Sequence, residues 1–265
     1  MSAVYFVPTP IGNLGDITFR AVEVLNSVDV IYCEDTRHSR VLLKHYNISK
    51  PLKSLHKYNE KEALDALVAA VKDGGSVAIV SDAGMPGVCD PGFVLVERLI
   101  EEGIGYTVLP GACAFVNAFV MAGAKLPMTF LGFLKEKDID KKRQLEEVEK
   151  SNTLILYASV HNVNDDLKFL YGELGDRKVA IVREISKMFE SVVFANLADA
   201  TAEITKGEFV LVVEGVKKES ALNAMTVLQH VEHYQKTGLD KSEAIKRAAK
   251  DRGIPKNEVY KLFVK

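Results

Sequence analysis

Three times within its first 124 residues the chain runs from a short apolar stretch into a loop of proline and glycine, then into a helix-like pattern. AVYFV leads into VPTPIGNLGDIT and the helical ITFRAVEVLNSV. SVAIV leads into SDAGMPGVCDPG and FVLVERLIEEG. IGYTV leads into LPGACA and AFVNAFVMAGA. A fourth apolar stretch, DVIYCED, ends in carboxylates, and EKEALDALVAAVKDGG reads as an amphipathic helix closed by Gly74 and Gly75. Strands that alternate with helices build a parallel sheet, because parallel neighbours need a crossover between them. Loops that leave the carboxyl ends of such strands gather on one edge, where ligands bind. In the first helix, Ile17, Ala21, Val24, Leu25 and Val28 share one face, and Asp16 is the expected N-cap.

A second block begins near Pro127. It holds the helix KKRQLEEVEK, the strand-like NTLILYAS, KVAIVREI, SVVFANL and EFVLVVEG, and the helical NVNDDLKFLYGEL. This predicts a second α/β unit with partly antiparallel strands. From about Ala221 the pattern is helical: TVLQHVEHYQKTG, DKSEAIKRAAKDRG and IPKNEVYKLFV. The expected boundaries are 1–118, 119–220 and 221–265, with a cleft between two α/β domains and a small helical module after them.

Several classes are disfavoured. No apolar run approaches the roughly 20 residues that span a bilayer, and MSAVYFVPTP does not read as a signal peptide. Cys33, Cys89 and Cys113 are three cysteines without CxxC spacing, which points to a reducing cytoplasm and to neither a disulfide framework nor a zinc site. No metal is expected. There is no Walker-type GxxxxGK[ST], no GxGxxG after the first strand and no GxSxG elbow. His230 and His233 share a helical face without a third ligand and read as two exposed histidines.

Each remaining motif has a plain reading beside a functional one. VPTPIGNLGDIT is either a stiff turn or a ligand wall. SDAGMPGVCDPG, with Asp82, Gly84, Pro86, Gly87, Asp90, Pro91 and Gly92, is either a linker or a loop whose backbone groups a ligand satisfies. CEDTRHS places Glu34, Asp35, Arg37 and His38 at a strand end, as a general base with its neighbours or as a surface ion pair. HKYNE adds His56 and Asn59. Residues 221–265 carry nine Lys/Arg against five Asp/Glu, a net of +4, while the rest nets −6. That is a polyanion-binding module or a solvated helical face.

YFVPTPIGNLGDITFRAVEVL, VDVIYCEDTRHSRVLL, HKYNE, AIVSDAGMPGVCDPG, VLPGACA, REISKMFES and SEAIKRAAKDRGIPKNEVY stand in an order that resembles the tetrapyrrole methylase family. They resemble most the branch that methylates a cytidine ribose 2′-hydroxyl in 16S rRNA. The resemblance implies S-adenosyl-L-methionine as donor, 16S rRNA or the small ribosomal subunit as partner, and a homodimer. Matched by motif, the donor pocket would take Pro8, Asp82, Ala83, Gly84, Val88, Cys113, Ala114, Tyr157 and Ala158. Asp35, Glu34, His56 and Glu184 are the candidates for the base that takes the hydroxyl proton. Arg37 and Asn59 would face the acceptor, and Lys246, Arg247, Lys250, Arg252 and Lys256 of the tail would track phosphates. The chain departs from the family pattern at Met85, at 132–137 (GFLKEK), and at Ala158, Asn162, Ala195 and Asn196, which leaves two alternatives open. One is a tetrapyrrole or other small-molecule acceptor. The other is an RNA-binding member with weakened catalysis.

Overall fold

The computed structural model describes residues 3–56, 59–89, 93–202, 206–216, 222 and 225–263. It divides into two compact units, Met1–Gly215 and Val216–Lys265.

The first unit holds two sheets. Strands β1 (Val4–Phe6), β2 (Val30–Cys33), β3 (Leu52–Ser54), β4 (Val77–Val80) and β5 (Tyr106–Val108) form a parallel sheet in the order β3-β2-β4-β1-β5. Helices α1 (Phe19–Ser27), α2 (Thr36–His45), α3 (Glu60–Lys72) and α4 (Phe93–Glu101) make the crossovers, and α5 (Ala114–Met121) follows β5. β2 and β4 are buried at every position, as a sheet covered on both faces requires. One core layer joins Phe6, Leu67, Ile79, Leu95 and Leu99. The layer on the other face joins Val7, Leu25, Ile31 and Leu109. The cap of α1 corrects the sequence reading. Thr18, not Asp16, accepts the Ala21 N–H, at 3.0 Å, and Asp16 closes a short 3₁₀ turn, Leu14–Asp16.

The neighbours β1 and β4 send their connections to opposite sides: β1 leads left to β2, and β4 leads right, past β1, to β5. Such a reversal opens a crevice at the strand ends.

The second sheet comprises β6 (Met128–Phe133), β7 (Thr153–Ser159), β8 (Lys178–Arg183), β9 (Ser191–Asn196) and β10 (Glu208–Val213), in the order β6-β7-β10-β8-β9. Only the β6–β7 pair is parallel. Helices α6 (Asp138–Glu146) and α7 (Val163–Leu174) cover one face, burying Leu145, Leu167, Leu170 and Leu211. The other face packs Ile155, Val182 and Val210 against Ile11 of the first loop and Ala118 of α5. That layer ties the two sheets together. Of the second unit's sequence-predicted helices, three form: α8 (Val227–Lys236), α9 (Lys241–Arg252) and α10 (Lys256–Lys261). They close on Val231, Ala244, Ile245, Ala248 and Val259. Gly253, with φ of 64°, ends α9, and Pro255 precedes α10.

His230 departs from the exposed pair expected. It is fully buried, and its Nδ1 accepts from Arg252 Nε at 3.0 Å.

Candidate active site

The three loops of the sequence converge. Thr9 of the first and Gly84 of the second pair as a two-bond bridge, Thr9 N to Gly84 O at 2.9 Å and Gly84 N to Thr9 O at 3.1 Å. Thr9 Oγ1 donates to Ser81 O at 3.1 Å, and Ser81 Oγ donates to Gly84 O, also at 3.1 Å. Gly84 thus spends its backbone groups on the first loop, where the sequence motif suggests that a ligand would take them. Its φ of +81° is one that L side chains rarely adopt. Asp90, Pro91 and Gly92 of the second loop lie outside the described residues, as do Lys57 and Tyr58 of HKYNE.

A cavity of about 420 Å³ opens beside this bridge. The second loop contributes Asp82, Ala83, Gly84, Met85 and Val88, and the third contributes Cys113 and Ala114. From the other sheet come Tyr157, Ala158 and Ser159 of β7, with Glu208, Phe209 and Val210 of β10. Eight of the nine donor-site residues expected from the sequence therefore lie on one wall system. The ninth, Pro8, is buried a layer behind, against Gly111 of the third loop. Tyr157 is held by edge contacts to the Phe130 and Phe133 rings. Burial pushes the Cys113 thiol up, which keeps it protonated near neutral pH.

A second cavity, of about 370 Å³, adjoins the first. Thr9, Pro10, Gly12, His38, Ser39 and Lys187 line it alone, and Ile11, Asp82, Ala83 and Glu208 line both cavities. The neighbouring chain is strained. Glu184 and Ser186 have φ of 52° and 66°, and Cys89, on the first cavity, has φ of 66°. Lys187 Nζ sits 2.9 Å from Glu184 Oε1 and 2.9 Å from Glu208 Oε2. Burial works against its charge, but the two carboxylates outweigh that and raise its pKa. Burial also works against a charged Glu184, yet the bonds from Lys187 and the Glu208 N–H leave its pKa below the usual carboxylate range.

The four residues suggested as the base, Asp35, Glu34, His56 and Glu184, line neither cavity. Asp35 caps α2 through the Arg37 N–H at 2.8 Å and pairs with the Arg37 guanidinium, which holds its carboxyl far below the usual range. The pair is a local surface brace, with the Arg37 side chain 88% exposed. Glu34 has its pKa raised by burial and by the charge of Asp82, whose Oδ1 accepts the Asp35 N–H at 3.3 Å. Asn59 is also spent locally. Its Oδ1 accepts the His56 N–H at 2.8 Å, and its Nδ2 donates to Ser54 O at 3.0 Å.

In the helical unit Lys246, Arg247, Lys250 and Lys256 are exposed. Arg252 turns inward, bonding His230 and the carbonyls of Leu222 and Met225, so its guanidinium is a clamp. Among the described residues no group of three His, Cys, Asp or Glu could hold a metal, and no helix is long and apolar enough to cross a membrane. Of the departures from the family pattern, Met85 and Ala158 lie on the first cavity, while Asn162, Ala195 and Asn196 line neither.

Residues 3–201 match the sequence family described as Tetrapyrrole (Corrin/Porphyrin) Methylases. The chain belongs to this family. It is 40% identical over 276 residues to "Ribosomal RNA small subunit methyltransferase I" of Bacillus subtilis (strain 168), covering 99% of this chain and 94% of that protein. A protein of the same name from Mycoplasmopsis pulmonis (strain UAB CTIP) is 43% identical over 216 residues, covering 80% of this chain and 97% of itself. Among solved structures, the methyltransferase CobJ superposes with a TM-score of 0.62 at 19% identity, covering 82% of this chain and 95% of its own. That likeness establishes the fold, two α/β sheets of the tetrapyrrole methylase type.

Proposed function

We propose that the chain is an S-adenosyl-L-methionine-dependent methyltransferase of 16S rRNA that methylates a cytidine ribose 2′-hydroxyl in the small ribosomal subunit. The observation that carries this reading is the 40% identity, over 99% of the chain, to a protein named as a methyltransferase of small-subunit ribosomal RNA; the cytidine 2′-hydroxyl is the finer part of the proposal. The first cavity fits the donor. It is largely apolar, as an adenosine site should be, and Asp82 lends its wall a carboxylate that would favour a cationic ligand. Its volume of about 420 Å³ falls in the range of cofactor pockets. When bound, S-adenosylmethionine supplies an activated methyl group. Asp82, Ala83, Gly84, Val88, Cys113, Ala114, Tyr157 and Ala158 would hold it, with Pro8 supporting the third loop from behind.

The protein's part in the reaction is placement. Oxygen, methyl carbon and sulfur must lie in line, and holding them so supplies much of the rate. The acceptor enters from the second cavity, whose Thr9, Ser39 and His38 suit a ribose and its neighbours. Domains 1–118 and 119–220 share the cleft, and 221–265 adds affinity for the RNA backbone. A small-molecule acceptor is the weaker reading, because the tetrapyrrole-type structures support only the fold.

The homodimer rests on an exposed apolar edge. Met188 and Phe189 are 91% and 67% exposed, and Val193 and Phe194 of the edge strand β9 are 52% and 67% exposed. Sedimentation equilibrium showing only a species of about 29.2 kDa would remove the dimer.

The deciding experiment gives the chain tritiated donor and small subunits that lack the modification, then maps the label by nuclease digestion. Incorporation at one cytidine, in an alkali-resistant dinucleotide, is expected. Label on a base, or none in any subunit, would refute the reading.

A further inference from the structure

We infer that Glu208 is the residue that takes the acceptor hydroxyl's proton, and that Lys187 is the positioning residue that aims it. The inference rests on the acceptor reading above and names the side chains that would serve it.

A hydroxyl that attacks a donor in the first cavity from the second must sit where the two meet. Four residues line both, and two of them, Asp82 and Glu208, are ionisable. Asp82 Oδ1 already receives the Asp35 N–H. Glu208 stands at the start of β10, opposite Ser159 of β7, so its backbone is fixed by the sheet. Its side chain is 75% exposed, and Lys187 takes only Oε2; no described residue bonds Oε1. One carboxylate oxygen is thus held and the other is open at the junction.

Lys187 is itself fixed from three sides. Glu184 Oε1 holds its ammonium, and that same oxygen accepts the Glu208 N–H at 3.0 Å. Gly12 of the first loop packs so closely on it that a β-carbon there would lie 2.5 Å from Lys187 Cγ. The first loop, the 184–187 turn and the start of β10 therefore meet at one ion cluster, and any shift in one re-aims the carboxylate.

The step balances without a further reactant. The methyl carbon's bond to the donor sulfur breaks as its bond to the ribose oxygen forms. The pair of electrons stays on sulfur, leaving a neutral thioether. The hydroxyl proton passes to Glu208 Oε1 and from there to water.

The test compares wild type, Glu208→Gln, Glu208→Asp and Lys187→Met. Donor Kd is read by calorimetry, and single-turnover methylation of small subunits is read between pH 6 and 9. For Glu208→Gln the expectation is a donor Kd within threefold of wild type, a rate roughly 100-fold or more lower, and a deficit that narrows about tenfold per pH unit as hydroxide replaces the lost base. Glu208→Asp should recover part of the rate. Lys187→Met should lower the rate roughly tenfold at unchanged donor Kd. A structural role would lower the rate by one factor at every pH. That result, or an unchanged Glu208→Gln rate on subunits that wild type methylates, overturns the inference alone. A wild type that binds donor and labels no subunit overturns the acceptor reading and the inference with it. Should Glu208→Gln fail to fold, as its melting would reveal, Glu208→Ala, which also removes the base, is read by the same criterion.

Discussion

Gly84 is the residue on which the proposed donor site turns. It holds φ of +81° while both its backbone groups bridge to Thr9, and a β-carbon there would meet Ile11 Cγ2 at 3.2 Å. A branched side chain in that conformation costs about 1–2 kcal/mol before any clash. Gly84→Val should weaken donor binding at least tenfold while the core layers of the two sheets, Ile11 apart, are untouched and keep the fold. In the proposed site Asp82→Ala removes a carboxylate that would face the cationic donor, worth roughly 1.5–3 kcal/mol, or about 10- to 150-fold in Kd. Isothermal titration with donor checks both, and wild-type affinity in the two variants would sink the cofactor assignment. These residues are legible in the sequence because they arrive in contiguous loops with unusual backbone needs. Asp35, Arg37, Asn59 and Arg252 are not, because charge and amide serve a neighbouring backbone as readily as a substrate. A cap two residues away or a buried histidine 22 residues away leaves no mark on composition. Glu208 gives no signal for a related reason: a single glutamate before an apolar run has no spacing to read.

At the scale of elements, the turn between β8 and β9 does the most with the least chain. It holds two left-handed residues, Glu184 and Ser186, and it seats the ion cluster against the first loop. The folded pKa of Glu184 lies below its ordinary 4.5, so its contribution to stability is complete above that value and fades as pH falls through the lower folded one. Lys187, raised above its ordinary 10.5, loses its share only in strong alkali. Thermal melts of wild type and Glu184→Gln should therefore run at a constant offset from pH 8 to about 5 and converge below about pH 4.5. An offset that persists unchanged to pH 3 would mean the carboxylate's charge is not what holds the turn. Helices and long strands are readable from their periods. β3 and β6 do not read as strands. β3 is Leu52–Ser54, LKS, two of its three residues polar and none fully buried, so no apolar run marks it, and β6 carries a register shift between Phe130 and Phe133, which breaks the alternation that marks a strand.

At the scale of the whole molecule, the proposed function assigns chemistry to one unit and RNA affinity to the other. The cavities, the bridge and the ion cluster all lie within Met1–Gly215, which has its own cores. The Val216–Lys265 unit offers exposed Lys246, Arg247, Lys250 and Lys256 on a separately packed three-helix core. Truncation after Gly215 should leave donor Kd within twofold and the rate on saturating subunits within a few-fold, while subunit affinity near 0.1 M salt falls tenfold or more. Every phosphate that is no longer neutralised lowers the slope of log K against log salt by about 0.7–0.9, so freeing roughly three or four phosphates should flatten it by about 2–3.5. Reversing charge in the full chain, Lys246→Glu with Lys250→Glu, should flatten it by somewhat more than about 1. Filter binding at several salt concentrations measures both, and equal slopes for wild type and variants would leave the basic helices as solvated surface.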